Sequence, residues 1–226
     1  MKLFPAGTIT AATNFGTIDN ISYKIFEPNA GCKSNPVYNI LVTRFKDQIL
    51  QSRKKSSQYL VINYSYKSIF NKEYEQIEHF VESVDEALTS FYVADFSKGQ
   101  SVDAVASSAG TWTVHLDNTR LYSSTANYKA NKAMLWTGKK WKLGNVTSLT
   151  TNASIQLDVG TNNYGALSNM EASTDGLIYP VYEVYMQPNQ LVSFTTETYI
   201  DAKINLNNVG GFTRSGTMSF VTKYKV

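Results

Sequence analysis

Hydrophobic and polar positions change their spacing twice between Val37 and Gly99, and these changes predict a series of elements. Alternation with a period of two predicts strands over residues 38–43 and 60–66. The mostly polar run 48–58 between them is typical of a solvated hairpin end, although its basic residues also allow an anion site or an inter-subunit contact. Those basic residues are Arg53, Lys54 and Lys55.

After Ser68 the spacing becomes helical. Apolar side chains recur three or four residues apart and predict an amphipathic helix over residues 71–88, with the stripe Tyr74, Ile77, Phe80, Val81, Val84 and Leu88. Ser68 or Asn71 is expected to cap the start of this helix. Acidic residues such as Glu78 and Glu82 occupy the flanks and the far side. Burial of the stripe against a sheet would contribute about 1.5–3 kcal/mol for each side chain.

The remaining segments are β-like and divide the chain into three parts. Residues 1–36 are rich in Gly, Asn, Thr and Pro and predict an extended N-terminal arm that lies on a neighbour. Residues 37–99 and 177–226 predict one β domain, and residues 100–176 predict a β-rich insertion or second module. The expected fold is mainly β (α+β), an antiparallel β-sandwich or split barrel with one packed helix.

Composition narrows the class of protein. Of 226 residues, 42% are hydrophobic and only 17% are charged, and 15 Tyr and 11 Phe suit half-buried sheets and protein contacts. The net charge of +3 does not favour a nucleic-acid partner. No apolar run is long enough to span a membrane, and no signal peptide is evident.

Candidate catalytic residues are few. His79 is expected to be solvated among acidic residues, His115 to lie in a strand, and Cys32 to be a small structural thiol. No motif supports a Cys–His nucleophile, a metal site or a phosphate loop. We therefore predict no catalytic, cofactor or metal site and no enzyme activity.

A basic stretch contrasts with the acidic helix. No acidic residue lies between Asp117 and Asp158, whereas the basic ones accumulate there, namely Arg120, Lys129, Lys132, Lys139, Lys140 and Lys142. One interpretation of this pattern is a system of solvated basic loops. Alternatively, Lys139, Lys140 and Lys142 contact Glu78 and Glu82 of another subunit, since opposite charges steer assembly.

Aromatic residues in the same region allow a second class of function. Aromatic side chains are interleaved there with Asn, Ser and Thr, as in platforms on which sugars stack, namely Trp112, Trp136, Trp141, Tyr122 and Tyr128. Ordinary sheet core is the competing interpretation, and single-stranded nucleic acid is a third.

The order of the strands, helix and turn predicted over residues 38–99 resembles that of the bacteriophage distal tail protein family, which includes related gene-transfer-agent tail proteins. The matching pieces are Phe45-Lys46-Asp47 with Gln51, Tyr64-Ser65-Tyr66-Lys67, Glu73, Ile77, Phe80, and Phe91 through Asp95. Gly176-Leu177-Ile178-Tyr179 and residues 191–204 are similar to the returning strands of that fold.

The resemblance implies a structural virion protein without cofactors, assembled in the host cytoplasm. It implies a ring of copies, a hexamer, that joins the tail tube to the tail tip or baseplate proteins. The arm and the run 48–58 are the expected contacts between copies. A head–tail connector, a capsid decoration protein and a carbohydrate- or receptor-binding β module are the alternatives.

Overall fold

The structure is a computed structural model, and it describes residues 1–9, 15–37, 40–44, 50–54, 59–84, 89–108, 110–136, 138, 141–158, 176–189, 193–199 and 211–223. These residues form strands, one α-helix, α1 (Asn71–Ser83), and one 3-10 turn at Phe96–Lys98. The strands are β1 (Lys2–Leu3), β2 (Gly7–Thr8), β3 (Phe15–Ile18), β4 (Ile21–Lys24), β5 (Cys32–Val37), β6 (Ile40–Arg44), β7 (Leu50–Lys54), β8 (Tyr59–Phe70), β9 (Phe91–Ala94), β10 (Gln100–Ser101), β11 (Ala104–Ser108), β12 (Thr111–His115), β13 (Lys132–Trp136), β14 (Trp141–Thr150), β15 (Ser154–Asp158), β16 (Leu177–Met186), β17 (Thr195–Tyr199) and β18 (Gly211–Thr222).

One large sheet contains most of these strands. Its main path runs β11-β12-β15-β14-β13-β16-β9-β1-β2-β3-β4, and β18 joins β16 to β8 and β17. The pairings are antiparallel except for β1 beside β9, where Leu3 pairs with Tyr92 in parallel. The mainly-β fold with one packed helix is therefore confirmed, and its sheet is mixed.

The predicted insertion lies between two paired strands. β9 and β16 flank it in sequence and pair side by side, from Val181 opposite Ala94 to Val184 opposite Phe91. β13, inside the insertion, then pairs with β16 over five residues. Because backbone hydrogen bonds continue across this boundary, the described strands of residues 100–158 extend the same sheet.

The polar run 48–58 contains a strand. β7 pairs with β6 in a separate two-stranded sheet, with Leu41 opposite Arg53 and Ile40 opposite Lys54. The prediction of a loop is wrong for residues 50–54, which form a strand, because backbone pairing does not require apolar side chains. β8 pairs instead with β5 on one side and β18 on the other.

The helix packs as its periodicity predicts. All described members of the apolar stripe are buried, namely Tyr74, Ile77, Phe80, Val81 and Val84. α1 lies against β8, β18 and β3, and residues 85–88 of the predicted helix fall outside the described residues. The predicted caps are wrong, since Phe70 is the N-cap and its backbone N–H donates to the Glu73 carboxylate at 3.1 Å.

The beginning of the chain belongs to the core. Phe4 is 2% exposed, and its ring centre lies 4.9 Å from that of Phe220 and 5.1 Å from that of Phe80. Leu3 and Ala6 are also buried. The prediction of an extended arm is therefore wrong for these residues, since β1 pairs with β9 and the side chains of Leu3, Phe4 and Ala6 are buried in this chain's own core.

Candidate assembly surface

The β3–β4 hairpin forms one end of the large sheet. Its turn residues Asp19 and Asn20 have φ of 48° and 66°, a left-handed conformation that Asn and Asp tolerate well. Phe15 and Ile21 are 51% and 53% exposed. Among the described strands, β4 pairs only with β3, so its outer edge faces away from the sheet.

The helix holds this hairpin in place through His79. The Tyr23 hydroxyl lies 2.7 Å from His79 Nδ1, and His79 Nε2 lies 2.7 Å from Asp19 Oδ2. Burial raises the pKa of Tyr23, and the carboxylates of Glu75 and Asp19 raise it further. The prediction that His79 is solvated is therefore wrong, because His79 bridges the helix to β4 and to the turn of the hairpin.

A buried glutamine makes a second link between helix and hairpin. Gln76 is 5% exposed, and its Nε2 donates to the Lys24 carbonyl at 2.6 Å and to the Pro5 carbonyl at 3.1 Å. Both donor hydrogens of the amide are therefore used. Gln76 and His79 stand three residues apart, on neighbouring turns of one helix face. That spacing is the signal in the sequence that could have revealed them as a pair.

The acidic face of α1 lies beside the hairpin. Glu75 and Glu82 are exposed, Glu78 is half-buried, and the side chain of Asp19 at the hairpin turn is 77% exposed. The acidic half of the predicted charge pairing is therefore available to a partner.

The basic residues of the predicted charge pairing do not form the surface that the sequence predicts. Lys142 is 6% exposed, so the prediction of a surface contact is wrong for this residue. It lies in a run of four buried positions at the start of β14, where it pairs with Leu135 of β13. Lys55, Lys139 and Lys140 lie outside the described residues, and Arg53 and Lys54 are described only as members of β7.

The opposite end of the sheet is β11. Within the described part of the chain it pairs only with β12, in register from Ala104 opposite His115 to Ser108 opposite Thr111. Val105 is half-buried against the core, whereas Ala106 is exposed. The main path of the sheet therefore ends in two chemically different edges, β4 and β11, and β5 and β17 are the terminal strands of the branch through β18.

The tryptophans do not form one platform. Trp112 is fully buried, so the prediction that its face meets a sugar is wrong. Trp136 and Trp141 pack against each other with ring centres 4.7 Å apart, and Trp141 also contacts Phe96 and Tyr179. These residues mainly fill the core of the sheet, in agreement with the competing interpretation that they are ordinary core residues.

Cys32 lies next to a buried carboxylate. Its Sγ is 3.7 Å from Asp95 Oδ1, which also accepts from the backbone N–H of Ser97 at 3.1 Å and caps the 3-10 turn. Burial, with the charge of Asp95, raises the pKa of the Cys32 thiol to about 12. The thiol is therefore protonated at neutral pH, which suits a structural role. His115 is exposed at the end of β12.

Within the described ranges, no group of three or more His, Cys, Asp or Glu residues could hold a metal ion. No helix there is both long and apolar enough to cross a membrane. In comparisons with known proteins, no family model matched the chain and no curated protein matched it.

Proposed function

We propose that the protein is a structural virion component that assembles with copies of itself into a ring in the phage tail. The observation that supports this most directly is that the main path of the large sheet ends in two different strands, β4 and β11, each paired on one side only among the described strands, as β5, β10 and β17 also are on its branches. The resemblance to distal tail proteins supplies the setting, a ring between the tail tube and the tail tip or baseplate, hexameric and assembled in the host cytoplasm.

Each end offers backbone groups to a second chain. The outer edge of a terminal strand presents N–H and C=O groups that pair with another strand. Because the two ends differ, a contact between the β4 edge of one copy and the β11 edge of the next is heterologous. Heterologous contacts generate a ring when the rotation between copies closes.

The side chains at the β4 end favour such a contact. Ile21 is 53% exposed in β4, and Phe15 is 51% exposed in β3. The links through His79 and Gln76 fix the hairpin before any partner arrives. A fixed edge loses less conformational entropy on association than a mobile one, which strengthens binding.

The oligomeric state tests the proposal. We expect mass photometry and light scattering to show a closed oligomer and negative-stain microscopy to show a ring with a central hole. Ile21→Lys on β4 and Ala106→Lys on β11 should each prevent ring closure, because a charged side chain at an edge opposes strand pairing. Leu149→Lys is the matched control, since Leu149 is 41% exposed on β14, inside the sheet path.

Mixing the two edge variants separates a heterologous contact from a symmetric one. Each variant retains one intact edge, and the two intact edges are complementary. An equimolar mixture should therefore give a dimer containing one copy of each variant, whereas neither variant alone associates. Rings that survive both substitutions, or a wild-type protein that remains monomeric at high concentration, would overturn the proposal.

A further inference from the structure

Three polar side chains form a row across neighbouring strands inside the main path of the sheet. Lys132 of β13 lies opposite Asn145 of β14, and Asn145 lies opposite Asp158 of β15. Directly opposite residues of antiparallel strands project to the same face of a sheet, with Cβ atoms about 4.5–5.5 Å apart. The register therefore places an amine, a primary amide and a carboxylate side by side, with the amide in the middle.

The amine is in contact with the amide. Lys132 Nζ donates a hydrogen bond to Asn145 Oδ1. This bond brings the lysine nitrogen next to the carbonyl group of the amide, where it is placed to attack the carbonyl carbon. The backbone fixes this arrangement, because β13 and β14 pair in register from Lys132 opposite Asn145 to Trp136 opposite Trp141. The two groups are therefore held together by the sheet before any reaction takes place, which removes the entropy cost of bringing them together.

The surroundings of Lys132 increase its nucleophilic fraction. Lys132 is half-buried, and burial lowers its pKa, a shift that the charge of Glu183 opposes. A lower pKa increases the fraction of the amine that is neutral near pH 7, and only the neutral amine has the lone pair that attacks a carbonyl carbon. Asn145 and Asp158 are exposed, so a small leaving group released from the amide passes directly into solvent.

We propose that Lys132 and Asn145 join in an intramolecular isopeptide bond, with Asp158 as the proton carrier. Lys132 Nζ attacks Cγ of Asn145 and forms a C–N bond, while the bond from Cγ to Nδ2 breaks and Nδ2 leaves as ammonia. The attacking nitrogen gives up one proton and the leaving nitrogen takes up one, and the Asp158 carboxyl group carries the proton between them. The exchange needs no oxidant, reductant or cofactor, because one amide replaces another.

The bond reinforces the middle of the sheet. It closes residues 132–145 into a covalent loop, which keeps β14 attached to β13 when the hydrogen bonds between them open, and a cross-link of this kind restricts the unfolded chain. β13 pairs on its other side with β16, from Lys132 opposite Val181 to Trp136 opposite Leu177, so the cross-linked hairpin adjoins the strand that follows the insertion. The proposal is independent of the proposed ring, because it involves neither β4 nor β11.

Intact-mass spectrometry of the full chain tests the proposal. The mass should be lower than that of the sequence by one molecule of ammonia, and proteolysis should release a branched peptide in which Lys132 is joined to Asn145. Lys132→Arg and Asn145→Ala should each keep the full mass of their sequences. Asp158→Asn should lose ammonia on the order of a hundredfold more slowly than the wild type in protein sampled over time after cell-free synthesis, because a side-chain amide does not carry the proton.

Lys129→Arg is the matched control and should lose ammonia as the wild type does. Lys129 is also half-buried, and its Nζ lies 5.9 Å from the ring centre of Tyr128, as that of Lys132 lies 5.0 Å from the ring centre of Tyr92.

The branched peptide is read from the wild-type chain, so the test does not depend on the folding of any variant. A wild-type chain at its full sequence mass overturns the proposal, as does a branched peptide that joins other residues. Ammonia loss that persists in Lys132→Arg comes from a succinimide at an asparagine and also overturns it. An Asp158→Asn variant that reacts at the wild-type rate overturns the assignment of Asp158 as the proton carrier.

Discussion

Truncation of Phe4 tests whether the beginning of the chain is part of the core. Phe4 is 2% exposed and lies within ring-contact distance of four aromatic side chains, the nearest with ring centres 4.9 Å and 5.1 Å away. Phe→Ala at such a site removes the transfer free energy of the ring and leaves a cavity, which together cost about 3–5 kcal/mol. Typical domains are stable by only ~5–15 kcal/mol, so this loss is a large fraction of the total.

Urea unfolding, followed by circular dichroism and tryptophan fluorescence, measures this loss. With a slope of about 3 kcal/mol per molar urea, the midpoint of Phe4→Ala should fall by roughly 1 M or more at unchanged slope. Phe15→Ala is the control, because Phe15 is 51% exposed and its truncation should change stability by about 0.5 kcal/mol or less. If the midpoints of the two variants agree, the first residues do not belong to the core and the arm predicted from composition is correct.

Four further predictions concern a close backbone contact, groups with raised pKa values and the His79 bridge. Gly16→Ala should destabilise the fold by about 1–3 kcal/mol in thermal unfolding, because a Cβ there would lie 2.4 Å from the Ala6 carbonyl oxygen; an unchanged melting temperature would contradict the contact. At pH 8, iodoacetamide should label Cys32 on the order of a hundredfold more slowly in the folded protein than in guanidinium, since its pKa is raised to about 12. The same shift, with that of Tyr179 to about 12, favours the protonated forms in the folded state. The stability from these shifts is complete below about pH 9 and is lost as the pH rises towards 12, a decline that Cys32→Ser should reduce. His79→Ala should accelerate hydrogen exchange in β4 relative to β8, and equal exchange would show that the bridge does not hold the hairpin.

The elements that sequence patterns predict well are those with strong local periodicity. The stripe from Tyr74 to Val84 is buried because a helix with apolar residues three or four apart presents them on one face. Strands β12 and β15 are recognisable by alternation, and they pair from Thr111 opposite Asp158 to His115 opposite Ser154. In such segments the local pattern and the tertiary environment agree.

The elements that sequence patterns predict poorly depend on distant partners. Leu3 and Phe4 lie in a segment whose composition is typical of an exposed arm, yet β9, almost ninety residues later, gives this segment a place in the sheet. Lysine is commonly exposed, but Lys142 is 6% exposed at a position of β14 that pairs with Leu135 of β13. Composition describes the average behaviour of a residue type, whereas burial at one position depends on which strands lie beside it.

The candidate assembly surface likewise contains features that the sequence predicts and features that depend on distant partners. The acidic residues on the flanks and far side of the helix are visible in the sequence. The hydrogen bonds that join the helix to the hairpin are not visible, because Gln76 and His79 act on residues more than fifty positions away. A polar residue on the flank of an amphipathic helix is commonly solvated. Whether such a side chain instead bonds to the hairpin depends on where the hairpin lies, which the sequence of the helix does not contain.

The helix therefore contributes more than an apolar stripe. Its Gln76 amide bonds to carbonyl groups of both the first residues and β4, and the Lys2 amine donates to the Ser83 carbonyl at 2.6 Å. Through these bonds the helix fixes the first strands of the chain relative to the hairpin that ends the sheet. If the β4 edge is a contact between copies, its geometry depends on the same packing that stabilises a single copy. Assembly and folding stability would then be coupled through α1, since a change that loosens the helix also displaces the edge.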